Sequence, residues 1–308
     1  MRDIGVVPPH VADMNPLRTL VESRIDALFA PADDDIPFDI TSGSDNGLYG
    51  PGSVAWDVHG DFATMMIGGV AALLLQMLDR RAMAGVWDHS NFRTDMVGRL
   101  RRTARFVGGT TYAARDQAQV MIDRVRRIHS AVGGTLTDGT PYRADDPATL
   151  AWVHVAGEWC FLAAYQRYAE PGMSRARQDA LFAETAVLAE ALGSGPVPVT
   201  RRAADAYLMA MRPQLRADDR TRAVVKALDE AVPAGSASSP VQRVLMAAAV
   251  DLLPPWAAAM HGRQPGLAAR ALTRASAGAL SASLRAGLAH RVARRNAALA
   301  ARAARIAG

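Results

Sequence analysis

The chain has 308 residues, half of them apolar, which is enough to bury a substantial core and too apolar for a disordered segment. The net charge of +5 is local: Gly262 to Gly308 holds nine arginines and no acid, while the first 261 residues carry 26 basic and 30 acidic side chains, which argues against a general nucleic-acid-binding role. One cysteine, Cys160, excludes an internal disulfide and any cysteine-based zinc cluster.

The first residues, MRDIGVVPPHVADMNP, lack the continuous apolar run of a signal peptide, so a cytoplasmic setting is expected. Residues 1–50 read as an arm of Pro, Gly and Asp clusters around one helical piece, Pro16 to Phe29, and a turn-rich run from Thr41 to Ser53 leads into the body. Phe62 to Leu78 is uncharged throughout but holds Gly68-Gly69 and Gln76. It predicts a buried central helix, with a membrane-inserted segment as the alternative. Asp61 before it is a helix cap or first-turn acid, or else a buried polar anchor.

That helix is expected to end near Asp79-Arg80-Arg81, with Gly85-Val86 and His89-Ser90 in a connector. A second helix follows from Arg93 to Phe106, and Gly108-Gly109 breaks the chain before the next, which Gly133-Gly134 stops. Asp138-Gly139 between short Thr-rich arms predicts a small hairpin or tight loop. Asp145-Asp146-Pro147 is an acid cap followed by a first-turn proline, opening a helix from Ala148 to Tyr168. Its faces His154/Glu158/Phe161/Tyr165 and Trp152/Val155/Trp159/Leu162 both read as buried. Further helices are expected at Ser174–Leu192, Thr200–Arg212, Asp218–Ala231 and Pro240–Leu252, and Leu253-Pro254-Pro255-Trp256 closes the body. The Ala/Arg-rich tail from Pro265 to Ile306 is read as a packed or solvated helix, with contact to an anionic membrane surface or a partner as the alternative. The expected fold is therefore all-α: an arm (1–50), one large helical domain (51–261) and a basic helical tail (262–308).

The chain is organised around Asp116 to Val132, where Met121, Val125, Ile128 and Val132 recur at the spacing of one helix face. His129 lies on the shoulder of that face, with Arg126 one position outward on the same flank. Such a histidine is either a hydrogen-bonded structural residue or an axial ligand for haem iron. Arg99 and Thr103, four apart, share a face of the preceding helix. If that face is buried, Arg99 must meet an anion, either a carboxylate of the protein or a haem propionate. The Thr103 hydroxyl can donate to a ligand or to a backbone carbonyl one turn back. No dinucleotide fingerprint, P-loop, nucleophile elbow or zinc-protease motif is present. His154 and Glu158 are four apart and unrepeated, unlike the Glu-x-x-His pairs of di-iron bundles.

The ordered segments GDFATMMIGGVAALLLQML, GVWDHS, RLRRT, RVRRIHSAVGGTLTDGTPYRADDP and WVHVAGEWCFLAAYQRY together resemble the rubber-oxygenase-type catalytic domain, the family of latex-clearing proteins and MpaB-type oxygenases. The resemblance spans roughly Trp56 to Trp256. It implies an all-helical fold with a globin-like core around one b-type haem. His129 is then the axial iron ligand, Arg99 and Arg126 belong to the cofactor's surroundings, and His154 stands at a recurrent family position, either beside the cofactor or hydrogen-bonded within the core. Arg102 and Thr103 are the distal donors that stabilise negative charge developing on oxygen. Arg102 stands where the latex-clearing branch has lysine, so a lysine-closed resting haem is not expected. The implied activity is haem-dependent activation of dioxygen to oxidise an apolar, isoprenoid- or lipid-like substrate, with electrons from an unidentified donor. The rival is a non-catalytic haem- or lipid-binding protein. Met65 to Met77 reads as the lining of a lipophilic pocket or as plain core.

Overall fold

A computed structural model describes residues 44–231 and 240–307, with side chains to residue 288. Among these are twelve α-helices and one two-stranded hairpin, so the fold is all-α. The predicted helix at Pro16 to Phe29 lies outside the described residues.

Two helices, α1 (Val54–Gly60) and α2 (Phe62–Gln76), meet at a bend of 87°. The break is at Asp61, whose carboxylate accepts the Thr64 N–H at 2.9 Å and caps α2 as expected. Trp56 to Gly60, read as a lead-in, is helical, with Ser53 as its cap. No single described helix is long and apolar enough to cross a membrane; α1 and α2 together pass by length and composition only. Most of α2 is buried against the protein itself.

The core is built on α2 and α6 (Pro147–Tyr168). They approach closely because Gly68 offers no side chain: a Cβ there would sit 3.0 Å from the Phe161 Cα and 3.1 Å from the Cys160 carbonyl. Their ends are cross-tied, with the Trp152 indole donating to the Gln76 carbonyl at 3.1 Å and the Gln76 amide to the Val153 carbonyl at 2.8 Å. Helix α6 starts as read, with Asp146 as cap and Pro147 in the first turn, and Trp152, Val155, Glu158, Phe161 and Leu162 are all buried.

The segment expected to be a connector is helix α3 (Arg80–His89), capped by Asp79 and continuing through Gly85. Helix α4 (Met96–Tyr112) likewise runs through Gly108-Gly109, both buried, and the chain breaks only at Ala113-Ala114. Glycine costs a helix interior only about 1 kcal/mol, which close packing offsets. Helix α5 (Arg115–Ser130) then carries His129. The hairpin forms as expected, β1 (Gly133–Thr135) antiparallel to β2 (Pro141–Arg143), with Gly139 at φ +84° in its turn. Helices α7 (Arg175–Leu192), α8 (Arg201–Met211), α9 (Asp219–Asp229) and α10 (Pro240–Leu252) match the predicted spans closely.

Packing does not end near Trp256. After the short α11 (Pro255–Met260), α12 (Leu267–Ala307) lies against α2, α6 and α10, with Ala277 and Ser281 fully buried. Its arginines dock it: Arg270 and Arg274 reach the buried Asp251 at 2.7 and 2.8 Å, beside Arg167 at 2.6 Å, and Arg285 reaches Asp61 at 2.5 Å. The first half of the basic tail is thus part of the body.

Candidate functional site

A cleft of about 300 Å³, at the small end for a ligand pocket, opens between the end of α2, α3, the start of α4, the end of α5 and the start of α6. Apolar walls come from Leu73, Met77, Val86, Val132, Leu150 and Val153, and polar groups from Gln76, Arg81, His89, Ser90, Arg99 and His129. Two residues singled out from the sequence, His129 and Arg99, therefore meet here from different helices. Met77 lines the cleft, whereas Met65 is core.

His129 is half-buried, and its Nδ1 is buried without a hydrogen-bond partner. Burial pulls the imidazole below its ordinary pKa, against the opposing pull of the nearby Asp145 carboxylate, so the ring is kept neutral. This does not fit a hydrogen-bonded structural histidine at Nδ1; leaving such a nitrogen unsatisfied costs about 1–3 kcal/mol. The hairpin holds the helix end that carries it. Arg143 donates to the Ser130 carbonyl at 3.2 Å while paired with Asp145 at 2.8 Å, and the Ala144 N–H donates to the Val132 carbonyl at 2.9 Å.

The face predicted to be buried, Met121, Val125, Ile128 and Val132, is not: three are half-buried and Ile128 is 54% exposed at the rim of the cleft. The covered residues of α5 are Ala118 and Ile122, on the neighbouring flank that leads to His129 at four- and seven-residue spacing. Arg99 donates to the Ser90 hydroxyl at 2.7 Å and has no carboxylate within ion-pair distance among the described residues. Burial first, and the Arg102 charge second, lower the pKa of its guanidinium. An arginine stays charged regardless, so this one is placed to receive an anion.

The other predicted site residues do not line this cleft. Thr103 is exposed, and its hydroxyl donates to the Arg99 carbonyl at 3.2 Å, the backbone alternative. Arg102 is exposed and tied to Asp95 at 3.2 Å and to Asn91 at 2.9 Å. Arg126 is exposed: it lies about 60° around α5 from His129 and does not line the cleft. His154 turns to the interior behind the cleft wall. Burial lowers its pKa, with Glu158 opposing and His59 reinforcing.

That interior holds a polar node that sequence reasoning missed in part. His59 Nε2 lies 3.2 Å from the Glu158 carboxylate and its Nδ1 lies 3.0 Å from the Thr111 hydroxyl. Thr111 in turn donates to the Val107 carbonyl at 2.7 Å, so its oxygen is left to accept from His59. Burial opposes ionisation of Glu158, but His59, by charge and hydrogen bond, and His154 outweigh it and lower its pKa. The missing partner, His59, sits on α1, a helix with no clear periodicity. The cleft residues Arg81 and His89 were missed with α3. Once α3 is helical, Arg81, Gly85 and His89 fall at four-residue spacing on one face. His89 Nε2 is 3.0 Å from the Gly133 carbonyl, linking α3 to the hairpin.

This arrangement is a helical bundle with an apolar cleft lined by two histidines, His89 and His129, and two arginines, Arg81 and Arg99. The family model for the ER-bound oxygenase mpaB/B'/rubber oxygenase catalytic domain matches residues 56–286, and the chain belongs to that oxygenase family. The match extends well into α12, in keeping with its docked first half. No curated protein and no solved structure matches the chain.

Proposed function

We propose that the chain is a haem b-dependent oxygenase that uses dioxygen to oxidise an apolar, isoprenoid- or lipid-like substrate. The observation that carries this reading is the neutral, half-buried imidazole of His129, with its orphaned Nδ1, in one apolar cleft with the acid-free guanidinium of Arg99. Among the described residues no group of three or more His, Cys, Asp or Glu could hold a bare metal ion. A prosthetic group that brings its own ring donors suits a single protein ligand.

In this reading His129 would hold the haem iron through an imidazole nitrogen, and Arg99, its guanidinium oriented by Ser90, would pair with a propionate. The apolar walls exclude water and receive the substrate. Bound haem iron supplies the oxygen chemistry that side chains lack. His89 is the cleft's other imidazole; with Nε2 directed at the Gly133 carbonyl, its Nδ1 is left as a proton acceptor. Thr103 has no part in this scheme.

The test is reconstitution in haem-replete cells. The wild type should carry a Soret band and bind close to one haem per chain, His129→Ala should lose it, and His154→Ala, behind the wall, should keep it. Haem-free wild-type protein, or equal haem in His129→Ala, would refute the proposal.

A further inference from the structure

A second groove, of about 180 Å³, runs between α4 and α5 beside the His129 cleft. Its floor is Phe106, Met121, Val125 and Ile128, and its walls carry three guanidinium groups, Arg102 and Arg105 from α4 and Arg124 from α5. No acidic side chain lines it. Ile128 lines both spaces, so the groove and the cleft share a wall on the rim where that side chain is exposed.

We propose that this groove binds the carboxylate end of an amphipathic substrate, whose apolar chain crosses Ile128 into the His129 cleft. This rests on the oxygenase reading above and narrows its substrate class from neutral hydrocarbons to chains ending in an acid. Three cations over an apolar floor complement a carboxylate joined to a hydrocarbon, and neither half of that pair alone. Each guanidinium has five donors in a planar fork that matches a carboxylate. Arg102 already bonds Asp95 and Asn91, and Arg105 and Arg124 have interactions of their own within the chain. The site therefore requires spare donors and net positive charge, not unpartnered arginines. Arg102 and Arg124 are exposed, within reach of an incoming ligand, while the buried Arg105 braces the base of the groove.

The experiment is calorimetric titration of the full-length protein as purified, with its haem content recorded. The ligands are a short linear isoprenoid carboxylate, the alcohol of the same chain and its diphosphate. The carboxylate should bind about tenfold more tightly than the alcohol, as a charge-assisted contact requires. The exposed-site double variant Arg102→Gln/Arg124→Gln should bind both equally while keeping the wild-type Soret band and haem content. Equal affinities in the wild type, a preference that survives in the double variant, or tighter binding of the diphosphate would overturn the assignment. Loss of haem from the double variant would also overturn it, by giving these arginines to the prosthetic group. A haem-free wild type refutes the oxygenase reading alone, since the carboxylate preference is still read on that protein.

Discussion

Replacing Glu158 with leucine removes the carboxylate facing His59 while keeping a side chain of similar bulk. Both partners are buried, with side chains 3% and 8% exposed. His59 Nδ1 donates to a Thr111 oxygen whose own hydrogen is engaged, so against the Glu158 carboxylate both ring nitrogens act as donors. Glu158→Leu leaves Nε2 facing hydrocarbon, as an unpaired N–H or a bare lone pair. Breaking one side of a buried ion pair costs about 3–5 kcal/mol. In a domain of this size that lowers Tm by on the order of 10 °C, measurable by circular dichroism or differential scanning fluorimetry. The double variant His59→Phe/Glu158→Leu removes donor and acceptor together and should recover most of the loss. The pH dependence has a definite sign. The folded pKa of Glu158 lies below its ordinary value of 4.5. Its contribution is therefore complete above that value and lost as the pH falls through the folded pKa. The acid limb of the wild-type stability curve should flatten in Glu158→Leu. A loss below about 1 kcal/mol, or a double variant no better than the single one, would refute the ion-pair account.

Gly68→Ala places a methyl group against the Phe161 Cα and the Cys160 carbonyl, both backbone. A loss of about 1–3 kcal/mol is expected from urea unfolding; an unchanged midpoint would mean that α2 and α6 can separate freely. Asp251→Asn weakens the shared anchor of Arg270 and Arg274 and should cost about 3 kcal/mol. Limited proteolysis should then cut α12 within residues 267–285, and wild-type resistance there would show that apolar packing alone docks the helix. Arg99→Gln, which keeps the contact to Ser90 but removes the charge, should reduce haem retention in a competition with apomyoglobin, whereas Arg126→Gln should not.

The helices α6 to α9 were legible because their starts carry capping chemistry in the sequence itself: Asp146-Pro147, Ser174, Thr200 and Asp218. The misreadings share one cause. Gly85 and Gly108-Gly109 read locally as a connector and a break, yet each lies inside a helix, where tertiary packing overrides a modest local penalty. For the site, two residues of the cleft, His129 and Arg99, could be placed from sequence order. Thr103 could not, because sharing a helix face with Arg99 does not tell that the cleft stops short of it; it is exposed, with its hydroxyl turned back to the Arg99 carbonyl. His59 escaped notice because nothing local marks a histidine whose partner is 99 residues away.

Asp61 lies at the bend between the first two described helices and also receives Arg285, 224 residues later. The bond that fixes the corner of the bundle thus forms only after 224 further residues have been made. Until Arg285 emerges from the ribosome, α2 presents an uncovered apolar flank and the Asp61 carboxylate holds only its cap. Closing so long a loop is slow compared with forming the helices on either side of it. A chain truncated before Arg285 should therefore accumulate as a collapsed, aggregation-prone species with most of its helices in place.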